Sequence, residues 1–327
     1  MSENDNELTN SINSSEVVQP ITTQFEEQQV PLVEEGKAPD VPIVPELKLS
    51  TEPPQQQPVV TNPLLQRARM PGEVHRLPSW GNFYTNGELD ATVENGEVHI
   101  HPLTTIDEIN IASPAKLYSG EGIVEAIKAC IPSIKDPEML LAQDVDFLLL
   151  CLRKVSYGST FEFKKTHYDC SAIPEGSEPK EAIYQANLDK VIAASKILDI
   201  DNATKSYSLT LKGTGQIVKF EPLRYKDYIK LMQVQAQAAR KETSEEIQKN
   251  IILDQLASVI KSVDEISERK FIREWLEVLN ASHVRDIHDQ IEKFANWGVN
   301  TSVKIKCRDC KEIMEVDLPT SPLILFS

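Results

Sequence analysis

The sequence predicts an α+β fold, with a mainly helical body and short antiparallel strands that form a small zinc-ribbon-like sheet. Three observations predict it. The stretch 137–154 is apolar around most of a helical circumference, which is typical of a central helix packed on several sides. Between 224 and 297 apolar residues recur three and four positions apart, as in helices. Alternating strand patterns at 302–306 and 312–318 flank a C-x2-C motif near the C-terminus.

The first 62 residues differ in composition from the rest of the chain. They carry eleven acidic and two basic residues, hence a net charge of −9, and Phe25 is their single aromatic residue. A Pro/Gln-rich run occupies 52–58. Such a segment buries too little apolar surface to offset the entropy of ordering. We therefore expect 1–62 to be a disordered acidic tail.

The elements that precede the central helix are short. In the segment 77–84, Pro and Gly frame a turn and three aromatic residues offer apolar anchors. Residues 97–101 alternate as a strand that ends at a proline. The segment 103–108 places threonine before an acidic first turn, which predicts the start of a helix. Apolar spacing predicts a further helix over 122–130, and Tyr157-Gly158 ends the central helix.

Strands and then helices follow the central helix. Residues 160–165 predict a strand, 191–198 fit either strand or helix, and 206–211 with 216–220 predict a hairpin around a Gly-rich turn. Further helices are predicted over 225–241, 245–262 and 267–279, and over a segment capped by Ser282 and stopped by Gly298. The residues 321–327 form an exposed apolar tail that either folds back onto the body or docks on a partner.

Two half-sites for a metal ion lie far apart in the chain. Cys307 and Cys310 form a C-x2-C pair, and His167 and Cys170 form an H-x2-C pair just after the strand at 160–165. Tetrahedral zinc needs two such pairs, so we predict that these four residues hold one structural zinc ion. A metal-free remnant with reduced thiols is the alternative. A redox dithiol needs a helix N-terminus, whereas strands flank Cys307 and Cys310.

These elements suggest four regions. The tail at 1–62 precedes an α+β region at 63–222, which contains the central apolar helix and the His167/Cys170 half-site. A helical region at 223–300 follows. The last region, 301–327, holds the strand–CxxC–strand unit and the apolar tail, and we expect it to pack back on the first half-site.

Two histidine pairs offer further candidate metal ligands. His99 and His101 face the same side of a strand, where two imidazoles can bind metal, although partly exposed strand residues are the commoner case. His283 and His288 lie five positions apart on a helix, which places them on different faces. We expect the second pair to lie at the surface.

No catalytic motif is present in the sequence. The chain lacks G-x-S-x-G, Walker A, H-E-x-x-H and Rossmann patterns. Asp144 and Asp146 lie in the apolar helix, but two positions apart they point to different sides. We expect Asp146 to hydrogen-bond a neighbouring chain end and Asp144 to lie near the helix surface. The prediction is a protein that is not an enzyme and has no small-molecule substrate.

Charge and hydropathy argue against nucleic-acid and membrane partners. The net charge is −16, so −9 in the tail leaves −7 for the other 265 residues, whereas a nucleic-acid binder needs a basic face. No apolar run reaches the roughly 18 residues of a membrane span. The N-terminus lacks signal-peptide features, and five cysteines, an odd number, suit a reducing compartment.

Six short segments occur in an order that is also found in a known protein family. They are 77–84, 97–108, 120–130, 144–153, 155–158 and the terminal strand–CxxC–strand. This order resembles the baseplate proteins of T-even-type contractile-tailed bacteriophages, the group of baseplate hub subunits and hub assembly proteins. The family pattern places a cysteine pair where His167 and Cys170 stand here, a difference that preserves zinc-ligating side chains.

The resemblance implies a role in virion assembly. It predicts a non-enzymatic structural or assembly component of the tail baseplate hub that contacts other phage baseplate and tail proteins. Its expected location is the virion tail baseplate, or the host cytoplasm during assembly. The alternative is a zinc-ribbon adaptor that binds nucleic acid or another protein outside a virion.

Overall fold

The structure, a computed structural model, describes most of the chain after the acidic segment. The described residues are 70–168, 170–172, 181–199, 207–240 and 245–326. The chain divides into two units, Met1–Val59 and Val60–Ser327, and every described residue belongs to the second. The predicted disordered tail lies outside the described residues.

The described part is an α+β fold, as the sequence predicts. Its strands are β1 (Glu73–Arg76), β2 (Glu97–Ile100), β3 (Thr160–Thr166), β4 (Glu181–Asn187), β5 (Ser208–Thr210), β6 (Ile217–Phe220), β7 (Ile260–Val263), β8 (Ser302–Lys306) and β9 (Ile313–Asp317). Its α-helices are α1 (Thr105–Ala112), α2 (Pro114–Ser119), α3 (Glu121–Cys130), α4 (Ala142–Tyr157), α5 (Leu188–Ala193), α6 (Tyr225–Arg240), α7 (Glu245–Val259), α8 (Arg269–Val278), α9 (Ala281–Phe294) and α10 (Pro322–Leu325). None of these helices is long and apolar enough to cross a lipid bilayer.

The strands form small antiparallel sheets. Three of these sheets are two-stranded and pair β1 with β2, β3 with β4, and β8 with β9. The fourth is three-stranded, in the order β5-β6-β7. The predicted hairpin at 206–220 is therefore confirmed. Strand β4 was not predicted, and β7 was predicted as the end of a helix, because Ile260 and Val263 continue the apolar spacing of α7. Pairing with β6, as in Val218↔Val263, draws that segment into the sheet.

Helix α4 lies in the larger of the hydrophobic clusters. From Val145 to Leu152 every side chain except that of Asp146 is buried, which confirms the predicted central helix. The helix begins later than predicted, because a short 3-10 turn at Pro137–Met139 precedes it and the next two residues are extended. That extended segment exchanges backbone hydrogen bonds with the start of α6: Ala142 N donates to Leu223 O at 2.9 Å and Tyr225 N to Leu140 O at 2.7 Å.

A second hydrophobic cluster joins the three-stranded sheet to helices α7, α8 and α9. Its buried members include Val218, Phe220, Leu256, Ile272 and Phe294. The cluster draws residues from both sides of position 222, where the sequence suggests a boundary between regions. The division of the folded part into regions stays a prediction.

The burial of the two aspartates of α4 is the reverse of the prediction, which placed Asp144 near the surface. Asp144 is fully buried, whereas Asp146 is exposed. The segment 77–84 covers Asp144: the backbone N–H of Ser79 donates to its Oδ1 at 3.0 Å, and the Tyr84 hydroxyl donates to its Oδ2 at 2.6 Å. Tyr84 in turn accepts from the backbone N–H of Leu141 at 2.9 Å, next to the start of α4.

Arg224 also links the opening segment to the residues before α4, through hydrogen bonds of its side chain. Its guanidinium donates to the Met139 carbonyl at 2.8 Å, to the Phe83 carbonyl at 2.7 Å and to the Glu221 carboxylate at 2.8 Å. The side chain is largely buried, with 12% of its surface exposed. Because its donors reach three separate stretches of chain, Arg224 fixes the opening segment against the approach to α4 and the start of α6.

One local prediction needs correction, and two open ones are decided. The cap of α9 is Asn280, whose Oδ1 accepts from the backbone N–H of Ser282 at 2.9 Å, so Ser282 lies inside the helix. The C-terminal tail folds back onto the body, which is one of the two outcomes that the sequence allows, and it forms the one-turn helix α10. In that helix Leu325 is fully buried, while Leu323 remains 56% exposed. The segment 191–198, which fitted strand or helix, contributes the end of α5.

We expect the stability of the fold to depend on pH through Asp144. Burial raises the pKa of its carboxyl to about 6, against hydrogen bonds from the Ser79 side chain, Tyr84 and the Ser79 N–H that lower it. The folded-state pKa thus exceeds the unfolded value. The contribution of Asp144 to the free energy of unfolding is therefore greatest below about pH 4 and is lost as the pH rises through about 6. A shift of this size corresponds to about 3 kcal/mol.

Denaturant unfolding of the parent and of Asp144→Asn at pH 4, 5, 6 and 7 measures this contribution. Asparagine does not titrate, so the difference in unfolding free energy between the two proteins should change over this range and level off above pH 6. The exposed Asp286→Asn on α9 is the matched control and should run parallel to the parent. Parallel curves for Asp144→Asn would contradict the assignment.

Candidate metal centre

Strand β3 positions the first half of the site. Phe161 and Phe163 are buried, whereas Glu162 and Lys164, which alternate with them, are exposed; this is the period-two pattern of a half-buried strand. Strand β4 pairs with it over its whole length, from Thr160↔Asn187 to Thr166↔Glu181. The next residue is His167, so the end of this hairpin fixes where the imidazole and the thiol of Cys170 can lie.

Strands β8 and β9 position the second half. Their last pair is Lys306↔Ile313, and Cys307 follows immediately. The turn is closed by a hydrogen bond from Cys307 N to Glu312 O at 2.8 Å. Lys311 adopts a left-handed backbone conformation, with φ 65°, which bends the chain sharply just after Cys310. Both thiols of the C-x2-C pair therefore lie at the tip of this hairpin.

The structure brings the two halves together. The metal-ligating atoms of His167, Cys170, Cys307 and Cys310 all lie within 4.8 Å of one another. Cys170 Sγ lies 3.8 Å from Cys307 Sγ, and Cys310 Sγ lies 3.6 Å from His167 Nδ1. The sulfur–sulfur distance is too long for a disulfide, whose bond is about 2.05 Å. It matches the separation of about 3.8 Å between two sulfurs that each lie about 2.3 Å from a tetrahedral zinc ion.

Backbone amides polarise the sulfurs of the C-x2-C pair. The N–H groups of Cys310 and Asp309, with the His167 side chain, lower the pKa of Cys307 against the opposing effect of burial. Burial and the neighbouring sulfurs of Cys307 and Cys170 raise the pKa of Cys310, although the Glu312 N–H acts in the opposite direction. Three sulfurs this close cannot all be thiolates without a cation, so binding a metal ion here would release protons.

Tyr184 on β4 contacts the ligand Cys307, and it was not identified from the sequence. Its side chain is 6% exposed, and its ring lies 6.2 Å from that of Phe163. Its hydroxyl interacts with the Cys307 side chain and with the backbone N–H of Arg308, and burial together with Cys307 raises the pKa of the phenol. The available signal is the alternation of Ala182, Tyr184 and Ala186 with mostly more polar residues, which is typical of a strand.

The arrangement can hold a metal ion through four side chains. Cys170 and Cys307 are buried, at 7% and 2% exposure, while His167 and Cys310 are partly accessible. Three sulfurs and one imidazole nitrogen are the donor set of a soft, tetrahedral site. The ligand set predicted from spacing is therefore assembled in space, and the predicted pairing of the halves across 137 and 143 residues is the one observed.

The other candidate residues do not form a comparable site. His99 and His101 have ring centroids 4.5 Å apart, and His99 is exposed. His283 is half-buried, and its Nε2 lies 2.9 Å from the Lys212 carbonyl in an exposed contact. His288 groups with Asp289 and Glu292, but all three are exposed on α9. Exposed groups of this kind are common on helices without any ion.

Comparisons with family models, with curated proteins and with solved structures give no match. Function is therefore inferred from the geometry of this site and from the surfaces around it.

Removing one ligand should abolish metal binding. We expect the purified parent to contain one metal ion per chain by elemental mass spectrometry, and Cys307→Ser to contain none. Because binding free energy at a structural site is folding free energy, the variant should also lose several kcal/mol of stability. Cys130→Ala, which removes a buried thiol outside the cluster, is the control and should keep the metal. A metal-free parent would contradict the assignment.

Replacing Tyr184 by phenylalanine should weaken the site without emptying it. The substitution removes the hydroxyl that contacts Cys307 and keeps the ring that packs on Phe163. Groups that hydrogen-bond a metal ligand contribute about 10–100-fold to affinity, so we expect that loss in competition titrations with a chromophoric chelator. Tyr118→Phe, remote from the cluster on α2, should leave the affinity unchanged. Equal affinities in all three proteins would assign Tyr184 a packing role alone.

Proposed function

We propose that the cluster binds a structural zinc ion. Thiolate and imidazole ligands together suit zinc, and four protein ligands complete its tetrahedron. A catalytic zinc ion keeps one position for water, whereas His167, Cys170, Cys307 and Cys310 would occupy all four positions. This closed ligand set is the observation that carries the functional proposal, because it assigns the site to holding the chain together.

The zinc ion would fasten two hairpins that share no strand pairing among the described strands. The β3–β4 and β8–β9 hairpins are separate two-stranded sheets, and such hairpins are marginally stable alone. Both contribute buried residues to the same core, including Phe161 from β3 and Ile305 from β8. Linking Cys170 to Cys307, 137 residues away, would remove much of the freedom of the unfolded chain.

We infer that the whole protein is a non-enzymatic structural or assembly component of a bacteriophage tail baseplate, in the hub. Its partners would be other baseplate and tail proteins, and its place would be the virion tail or the host cytoplasm during assembly. The order of segments between 77 and 158 that resembles baseplate proteins supports this proposal. So do the closed metal site and the exposed apolar side chains, which suit protein–protein contacts.

A zinc-ribbon adaptor that binds nucleic acid is the second candidate. The exposed residues Lys304, Lys306, Arg308 and Lys311 at the C-x2-C hairpin favour it. Four acidic residues occupy the same stretch, and one of them, Glu315, lies directly opposite Lys304. Four positive and four negative charges between 304 and 317 leave no net positive charge for a phosphate backbone. Protein contacts are therefore favoured over nucleic acid.

A stop codon at Trp80 in the gene of the encoding phage tests the baseplate proposal. We expect non-suppressing hosts to yield particles with absent or incomplete baseplates by electron microscopy, because a hub component would be missing. Supplying the parent protein in trans should restore complete tails, Cys130→Ala should also restore them, and Cys307→Ser should not. Normal tails in the absence of the protein would contradict the proposal.

The same purified protein separates the two candidates. At about 0.1 M salt we expect no binding to double-stranded DNA or RNA. Salt-sensitive binding that disappears in a variant with Lys304, Lys306 and Arg308 changed to glutamine would favour the adaptor instead.

A further inference from the structure

An open cleft of about 580 Å³ lies between helices α2, α3, α4 and α6 and the C-terminal segment at 320–323. Its walls are mostly apolar, and they include Leu117, Ile123, Leu149, Ile229 and Met232. Clefts of this size with apolar walls and few polar groups are typical of binding sites. The cleft is separate from the metal cluster, since none of the four predicted ligands lines it.

Among the residues that the structure describes, Asp146 is the single charged one that lines this cleft. No hydrogen bond or ion pair to its carboxylate is found among the described residues. Although the Asp146 residue is exposed at the opening of the cleft, neighbouring side chains keep water from much of its carboxyl group. This desolvation raises the pKa of the carboxyl to about 6, so the group is mostly ionised at neutral pH. Burial raises the pKa of Tyr225 and Tyr228, and the nearby carboxylate of Asp146 adds to the effect on each phenol. A negative charge therefore faces the cleft without a matching positive charge.

Two tyrosine rings lie beside this carboxylate. The centroids of Tyr225 and Tyr228 are 6.3 Å apart and their planes differ by 28°. The Tyr225 hydroxyl is buried and has no hydrogen-bond partner among the described residues. Aromatic faces attract cations, and a carboxylate next to them strengthens that preference. The combination is suited to an ammonium or guanidinium group that carries an apolar stem.

The apolar surface continues beyond the cleft onto its rim. Tyr118 is 43% exposed, Met232 is 44% exposed and Leu323 is 56% exposed. These residues belong to α2, α6 and α10, so they surround the opening from three directions. A small molecule inside the cleft would leave this rim in water, whereas a protein segment that crosses the opening would cover it.

We propose that the cleft docks an apolar segment of a partner protein that inserts a lysine or arginine side chain toward Asp146. This inference rests on the proposed assembly function and specifies the chemistry of one of its contacts. The apolar side chains of the segment cover the rim, and the basic side chain passes between the apolar walls to the carboxylate and the tyrosine rings. The net charge of −16 also attracts a basic partner at long range.

Selection from a random-sequence peptide display library on the immobilised protein tests this chemistry without knowledge of the natural partner. We expect the selected peptides to share a lysine or arginine flanked by apolar residues. Asp146→Asn should weaken their binding about tenfold, because the inserted cation loses its counter-charge. Met232→Glu should weaken it similarly by breaking the apolar rim. Asp286→Asn on the remote helix α9 is the matched control and should bind as the parent does.

Acetylating the basic residue of a selected lysine peptide provides the reciprocal test. We expect the neutral peptide to bind the parent about tenfold more weakly and to bind Asp146→Asn no worse than the charged peptide does. Selected peptides without a basic residue, or peptides that bind Asp146→Asn as well as the parent, would overturn the proposal.

Phenethylammonium serves as a small-molecule probe for the competing occupant. Micromolar binding of this amine alone, followed through the Met232 methyl resonance, would assign the cleft to small organic cations and overturn the peptide proposal. Because these assays use the isolated protein, their result is independent of whether tails assemble without it. If the peptide-binding assays fail but the stop-codon mutant makes defective tails, the cleft proposal is wrong and the assembly function is still supported.

Discussion

The placement of three sulfurs and one imidazole nitrogen within 4.8 Å of one another is the constraint on which the C-terminal part of the fold depends. Thiols crowded in this way repel once ionised, and a cation removes the repulsion. The two hairpins that supply the ligands are short, and their described strands form no hydrogen-bonded ladder with each other. Their mutual position is therefore set by a common core and, in our proposal, by a shared zinc ion. Tyr184 connects these two influences, because it packs in the core and also touches Cys307.

A second polar assembly plays the corresponding role at the start of α4. The first turn of a helix leaves backbone N–H groups without partners, and a buried helix start must satisfy them. Here the Tyr84 hydroxyl accepts a hydrogen bond from the N–H of Leu141 and donates one to Asp144, while Arg224 donates to the Met139 and Phe83 carbonyls. Buried polar groups of this kind are stable only when fully paired, so they specify one arrangement of the opening segment against α4.

The contrast between the metal cluster and the Asp146 cleft supports the proposed division of roles. The cluster offers four ligand side chains to one ion and, in our proposal, fastens distant parts of the chain to each other. The cleft has a carboxylate that forms no ion pair with any residue of the described part of the chain, and it has an exposed apolar rim; a partner can complete both features. A rigid body with one incomplete surface is suited to assembly, because the partner meets a preformed site and little ordering free energy is lost on binding.

The sequence by itself determined the features that depend on local spacing. The C-x2-C and H-x2-C pairs identified Cys307 and its three partners, and apolar periodicity identified α4. Only the tertiary structure decided which carboxylate of α4 is buried, because the sequence of a helix that is apolar nearly all round does not show which face packs against which neighbour. In the structure the segment 77–84 covers Asp144, whereas Asp146 lines the cleft. Strand β7 also escaped prediction, since its two-residue alternation becomes distinct from a helical pattern only when β6 lies beside it. Contacts between residues far apart in the chain determine both the buried face of α4 and the strand conformation of β7, and local sequence patterns do not encode such contacts.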